Sequence, residues 1–139
     1  MEIEFAVRLP VDSHSVPFAR GLCRQALEHL QVPRENVEEI VLALTEACAN
    51  VVRHAGQDVD YEVAVRIDDE ACRISVWDEG SGFDQPDLTR PVDPHDEGGN
   101  GLVLMAALVD ELAFERDRDG RHRVTLEKRL VVRPALRLV

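Results

Sequence analysis

The sequence predicts an α/β sandwich, an α+β arrangement in which helices cover one face of a largely antiparallel sheet. Three observations predict it. Residues 2–9, 60–67 and 72–78 alternate apolar and polar side chains with the period of a strand. Between the first two of these runs, two longer segments repeat apolar residues at helical spacing. No segment repeats another, and 139 residues suit one domain, 1–139, with one core.

In EIEFAVRL, Ile3, Phe5 and Val7 fall on one face and Pro10 ends the run, which gives the first strand. Asp12 and Ser13 offer N-caps to a helix reaching about Leu30, with Phe18, Leu22, Ala26 and Leu30 on its apolar stripe. Pro33 marks the first turn of a second helix, from about Arg34 to His54, which Gly56 stops. Tyr61, Val63, Val65 and Ile67, then Ile74 and Val76, alternate in a hairpin closed by Asp68-Asp69-Glu70. From Glu79 to Gly101 three prolines and five glycines exclude a regular element, and a loop of this length in a compact domain is functional or disordered. LVLMAALVDEL, residues 102–112, predicts a third helix, and 112–118 and 122–132 predict two closing strands around Asp119-Gly120.

The formal charge of −11 would repel a nucleic-acid backbone, so direct DNA binding is disfavoured. An acidic surface serves first as a solubility device and second as a means of steering toward a basic partner. No apolar run is long enough to span a bilayer, and MEIEFAVRLP lacks the basic-then-apolar start of a signal peptide, so a cytoplasmic location is expected. Cys23, Cys48 and Cys72 are widely spaced among apolar neighbours with no paired-ligand pattern, which reads as buried reduced thiols and argues against zinc.

Glu46, Asn50 and His54 recur every four residues on the second helix, opposite Val37, Val41, Leu44, Cys48, Val51 and Ala55. Such a row can be a solvated face. Its neighbours Ala43, Ala47 and Ala49, however, are small residues suited to lining a cavity, not the lysines and glutamates of a free surface. A carboxylate and a carboxamide one turn apart can offer two oxygens to one hard cation, as magnesium shared with a phosphate requires.

Alternation from Ile74 and Val76 carries Asp78 onto the buried side of its strand. A carboxylate there needs a donor, such as the exocyclic amine of a nucleobase, or else it caps the turn made by Gly80 and Gly82. Gly98, Gly99 and Gly101 stand just before the third helix, where backbone N–H groups and the helix dipole favour an anion; a flexible linker would look the same. No GxxxxGK motif follows, so this is not a P-loop.

In this order, ExxxNxxxH, then DxGxG, a variable loop, and GxGL opening a helix, the sequence resembles the GHKL ATPase superfamily with its Bergerat ATP-binding fold. It is most similar to the small anti-sigma-factor serine/threonine kinases of the RsbW and SpoIIAB type, over essentially the whole chain. The resemblance implies ATP/ADP and Mg2+ as ligands, with Glu46 as general base and Asn50 as magnesium ligand. It implies Asp78 as the adenine-recognising residue, with Gly80 and Gly82 allowing close approach to the base. Gly99, Gly101 and Leu102 would lie near the phosphates, residues 83–98 would form the ATP lid, and His54 would orient or contact phosphate.

The same resemblance implies two partners, a STAS-domain anti-sigma-factor antagonist as substrate and a sigma factor, with transcription regulated by partner switching. Arg20, in Phe18-Ala19-Arg20 and followed by Arg24, would present a cation to such a partner. Homodimers are common in this branch, yet Glu2, Glu4, Ala6 and Arg8 leave the first strand without an apolar outer patch. One departure stands out: where these kinases usually carry Gly-Thr before the last strand, Gly120 is followed by Arg121-His122-Arg123, and Thr125 comes too late. Arg121 is then a phosphate clamp or a plain surface turn. The alternative reading of the chain is a non-catalytic, nucleotide-dependent module that sequesters a regulator.

Overall fold

The computed structural model describes residues 1–55, 59–79, 100–116 and 118–130. Gly56, Gly80, Gly82, Gly99 and the expected lid, 83–98, lie outside them. The elements are β1 (Ile3–Pro10), α1 (Ser15–His29), α2 (Arg34–His54), β2 (Asp60–Ile67), β3 (Ala71–Asp78), α3 (Asn100–Leu108), β4 (Glu111–Arg116) and β5 (His122–Arg129). The five strands pair antiparallel throughout in the order β1-β2-β3-β5-β4. α2 packs between α1 and α3 and lies over β3 and β5, as the predicted sandwich requires.

The core forms where alternation and helical period meet. Tyr61, Val63, Val65 and Ile67 of β2, Ile74 and Val76 of β3, and Val124 and Leu126 of β5 are buried beneath Val37, Ile40, Val41, Leu44, Cys48 and Val51 of α2. The β2–β3 turn is held by Asp68, whose Oδ1 accepts from the backbone N–H groups of Glu70 and Ala71 at 2.8 and 2.9 Å. Gly120, at φ +81°, supplies the left-handed residue of the β4–β5 turn.

Three expectations need correction. α1 begins at Ser15, and its buried stripe is Ser15, Ala19, Cys23 and Leu27, one position on from the predicted one; Phe18 is exposed. The N-cap is His14, without a side-chain cap hydrogen bond, and not the expected Asp12 or Ser13. Asp12 braces the turn before the helix, its Oδ1 accepting from the N–H groups of His14 and Ser15, and the stripe is set by a polar contact that apolar periodicity does not register. Ser15 Oγ donates to the Asp12 carbonyl, so the buried Tyr61 hydroxyl, 2.6 Å away, donates to Ser15. α3 ends at Leu108, not at 112, because Asp110 joins the sheet: its N–H donates to the Glu127 carbonyl and its carboxylate accepts from the Arg129 N–H. The cations of α1 are also not equivalent, since Arg24 makes a two-pronged pair with Glu38 of α2 at 2.7 and 3.1 Å, while Arg20 is exposed.

The three cysteines are free and buried, as expected. Burial pushes the Cys48 thiol up to about 12, and a hydrogen bond with Cys23 together with burial raises Cys72. Burial likewise lifts the Tyr61 phenol to about 12. A raised native value favours the neutral form, so this stabilisation is complete below the unfolded pKa of about 10 for tyrosine and is lost as pH rises toward the folded value. Tyr61 is the only tyrosine in the chain. Tyrosinate absorbance in an alkaline titration therefore reports on it alone. At about pH 11, where a free phenol is mostly ionised, Tyr61 should remain neutral and should ionise only as the fold is lost; titration near pH 10 with native circular dichroism would contradict this.

Candidate functional site

α2 starts after Pro33, whose φ of −53° and ψ of 139° set the chain for helix entry, and it runs to His54, with Ala55 extended beyond it. The predicted polar row is present, graded from inside to outside. Asn50 is 2% exposed, Glu46 is half-buried and His54 is exposed. Ala43 and Ala47, on the stripe that carries Glu46 and Asn50, are buried. They admit α3, which packs against this side of α2 and buries Leu102 and Met105.

The first turn of α3 meets the row directly. A Cβ built on Gly101 would collide with Glu46 Oε2, lie 3.4 Å from Glu46 Cδ and lie 3.8 Å from Arg53 Nη2. Any larger residue would have to displace the Glu46 carboxylate, so glycine is what lets that carboxylate rest against the first turn of α3. α3 has no acidic residue in its first turn, and the Glu46 carboxylate from α2 stands at that position instead. Arg53 Nη2 lies 4.0 Å from Glu46 Oε2, and its Nε donates to the Ala49 carbonyl at 3.4 Å.

Asn50 adds the clearest sign of a missing ligand. Its side-chain Nδ2 is buried and has no hydrogen-bond partner among the described residues. An amide left this way costs about 1–3 kcal/mol unless a group outside the chain satisfies it. A carboxylate and a carboxamide one turn apart, an unmet amide and a helix N-terminus without its own acid fit a phosphate-bearing ligand and a hard cation.

The other end of the site is fixed by strand register. Asp78 closes β3, 4% exposed, with Tyr61 of β2 opposite it on one side and His122 of β5 on the other. Arg116 of β4 extends this row, its Nε and Nη2 donating to His122 Nε2 at 3.1 and 2.8 Å. His122 Nδ1 is buried and has no hydrogen-bond partner among the described residues. Arg121 lines a cleft of about 330 Å³ with Trp77, Asp78 and Glu79. Thr125 pairs with Ser75, their hydroxyls 3.4 Å apart, on the sheet face away from the helices.

His122 and Arg53 are the site residues that motif reading passed over. Counting back by twos from Leu126 and Val124 would have placed His122 on the inward face. Arg53 lies seven residues after Glu46, on the same helical stripe.

A family model for the histidine kinase-like ATPase domain matches residues 9–128. Serine-protein kinase RsbW of Bacillus subtilis (strain 168) is 38% identical over 121 residues, covering 78% of this chain and 76% of that protein. RsbW of Bacillus velezensis is 31% identical over the same shares, 78% and 76%. Among solved structures, the RsbU and RsbW domains of Rv1364c from Mycobacterium tuberculosis superpose with a TM-score of 0.71 at 24% identity, over 92% of this chain and 32% of that one. This chain therefore spans about a third of that longer chain, whose share is 32%. The SiaB–SiaC complex from Pseudomonas aeruginosa gives a TM-score of 0.64 at 17% identity, over 90% and 89%. At such identities the structural likeness speaks to the fold alone. With the family match spanning β5 as well as α2 and α3, this chain belongs to the histidine kinase-like ATPase domain family, in its RsbW-type branch.

Proposed function

We propose that this chain is an ATP-dependent serine/threonine-protein kinase and anti-sigma factor that phosphorylates a STAS-domain antagonist and thereby regulates transcription by partner switching. The observation that carries it is the meeting of Glu46, the unmet Asn50 amide and Gly101 at the N-terminus of α3. Its RsbW relatives are named as serine-protein kinases. Asp78 accepts from the adenine amino group, and Asn50 supplies the oxygen for Mg2+. The cation, when bound, neutralises phosphate charge during transfer.

The rest is positioning. Glu46 takes the proton of the attacking serine or threonine hydroxyl, the N-terminus of α3 holds phosphate oxygens, and His54 orients the phosphate side. Gly80, Gly82 and Gly99 belong to the same site by motif, as does the lid, 83–98. Arg20, with no ion pair among the described residues and beside the exposed Phe18, faces the protein partner, whether antagonist or sigma factor. No helix among the described residues is long and apolar enough to cross a membrane. We place the protein in the cytoplasm.

Glu46→Ala should lower phosphate incorporation into a STAS-domain substrate at least about a hundredfold while ATP binding persists; equal incorporation would remove Glu46 as base, and no incorporation by folded, ATP-binding wild type would favour the sequestering module. Gly101→Ala forces the carboxylate aside, so transfer should fall at least about tenfold with the melting temperature unchanged or raised, since alanine favours a helix. Arg20→Glu should weaken partner binding, measured by calorimetry, and leave ATP affinity as in wild type. Loss of both would place Arg20 in the fold.

A further inference from the structure

We propose that His122 reads the N1 edge of adenine and makes the site specific for it, an inference that rests on Asp78 as the adenine residue. The argument begins with the proton. Arg116 can only donate, and it directs both Nε and Nη2 at His122 Nε2, which must therefore be the accepting nitrogen of the ring. The ring proton then sits on Nδ1. That N–H is buried with no partner in the described chain, which is costly unless a ligand accepts from it.

Position gives the ligand atom. His122 is the register partner of Asp78, and both stand on the helix-facing side of the sheet, the side of Val76 and Val124. Cross-strand neighbours of this kind hold their Cβ atoms about 4.5–5.5 Å apart. A carboxylate acceptor therefore lies next to an N–H donor. Adenine offers the complementary pair on its Watson–Crick edge, an amino donor at N6 beside an acceptor at N1. Guanine carries an acceptor at position 6 and a donor at N1, so both contacts would become repulsive. Arg116 is a positioning residue in this scheme, because it fixes the tautomer.

The test is calorimetric and needs no protein substrate: ADP, 1-deaza-ADP (which lacks only the N1 nitrogen) and GDP are titrated into wild type, His122→Phe and Asp78→Asn, each checked for its melting temperature. Wild type should bind ADP about tenfold more tightly than 1-deaza-ADP, the worth of one buried hydrogen bond, and should not bind GDP measurably. His122→Phe should weaken ADP about tenfold, leave 1-deaza-ADP unchanged and so erase the preference. Equal affinity of wild type for ADP and 1-deaza-ADP overturns the role of His122, whether or not the variant folds, and so does a full wild-type preference in His122→Phe. If Asp78→Asn loses ADP in either case, the adenine site stands and His122 alone is dismissed. ADP binding unaffected by Asp78→Asn, or absent from folded wild type, overturns both assignments.

Discussion

The site depends on one contact, the absence of a side chain at Gly101 where α3 closes onto Glu46. A Cβ there would push aside the Glu46 carboxylate, the flexible end of its side chain. α3 approaches close enough to bury Leu102 and Met105, and Ala43 and Ala47 leave it room. On α2, Asn50 is buried, and its amide finds no partner among the described residues. Packing and chemistry are therefore not separable at this point, since the geometry that completes the core also prepares the polar end.

The opposite end is governed by register. β5 lies between β3 and β4, so His122 comes to rest between Asp78 and Arg116 although the three are distant in sequence. A slip of one residue in β5 would turn His122 outward and bring an arginine inward. Val124 and Leu126, packed under α2, prevent it.

Much of this was legible in the sequence. Strand alternation gave β1, β2 and β3 nearly to the residue, and α2 ran as predicted from Arg34 to His54. The buried carboxylate of Asp78 followed from period two alone. What escaped prediction involved polar atoms with distant partners. Ser15 faces inward because Tyr61 donates to it across the core, and α3 stops early because Asp110 finds backbone partners on β5. Arg24 looked available for a partner but is held by Glu38, fourteen residues along the chain. His122 was hidden among three consecutive basic-type residues, where Arg121 drew attention by charge. Which glycine is indispensable also cannot be ranked from GGNG, because the collision partner of Gly101 comes from another helix.

The strand order divides the pocket between two independent supports. On the proposed assignment, the groups that would meet the nucleobase belong to neighbouring strands, and those that would meet the phosphates to two packed helices. On that assignment, substitutions at 116 or 122 would retune which base is accepted while the proton-transfer apparatus stays untouched, and changes along the helix pair would silence transfer while the nucleotide is still held. Such a division lets a lineage convert a kinase into a nucleotide-gated sequestering protein, or alter its nucleobase preference, through separate short mutational paths.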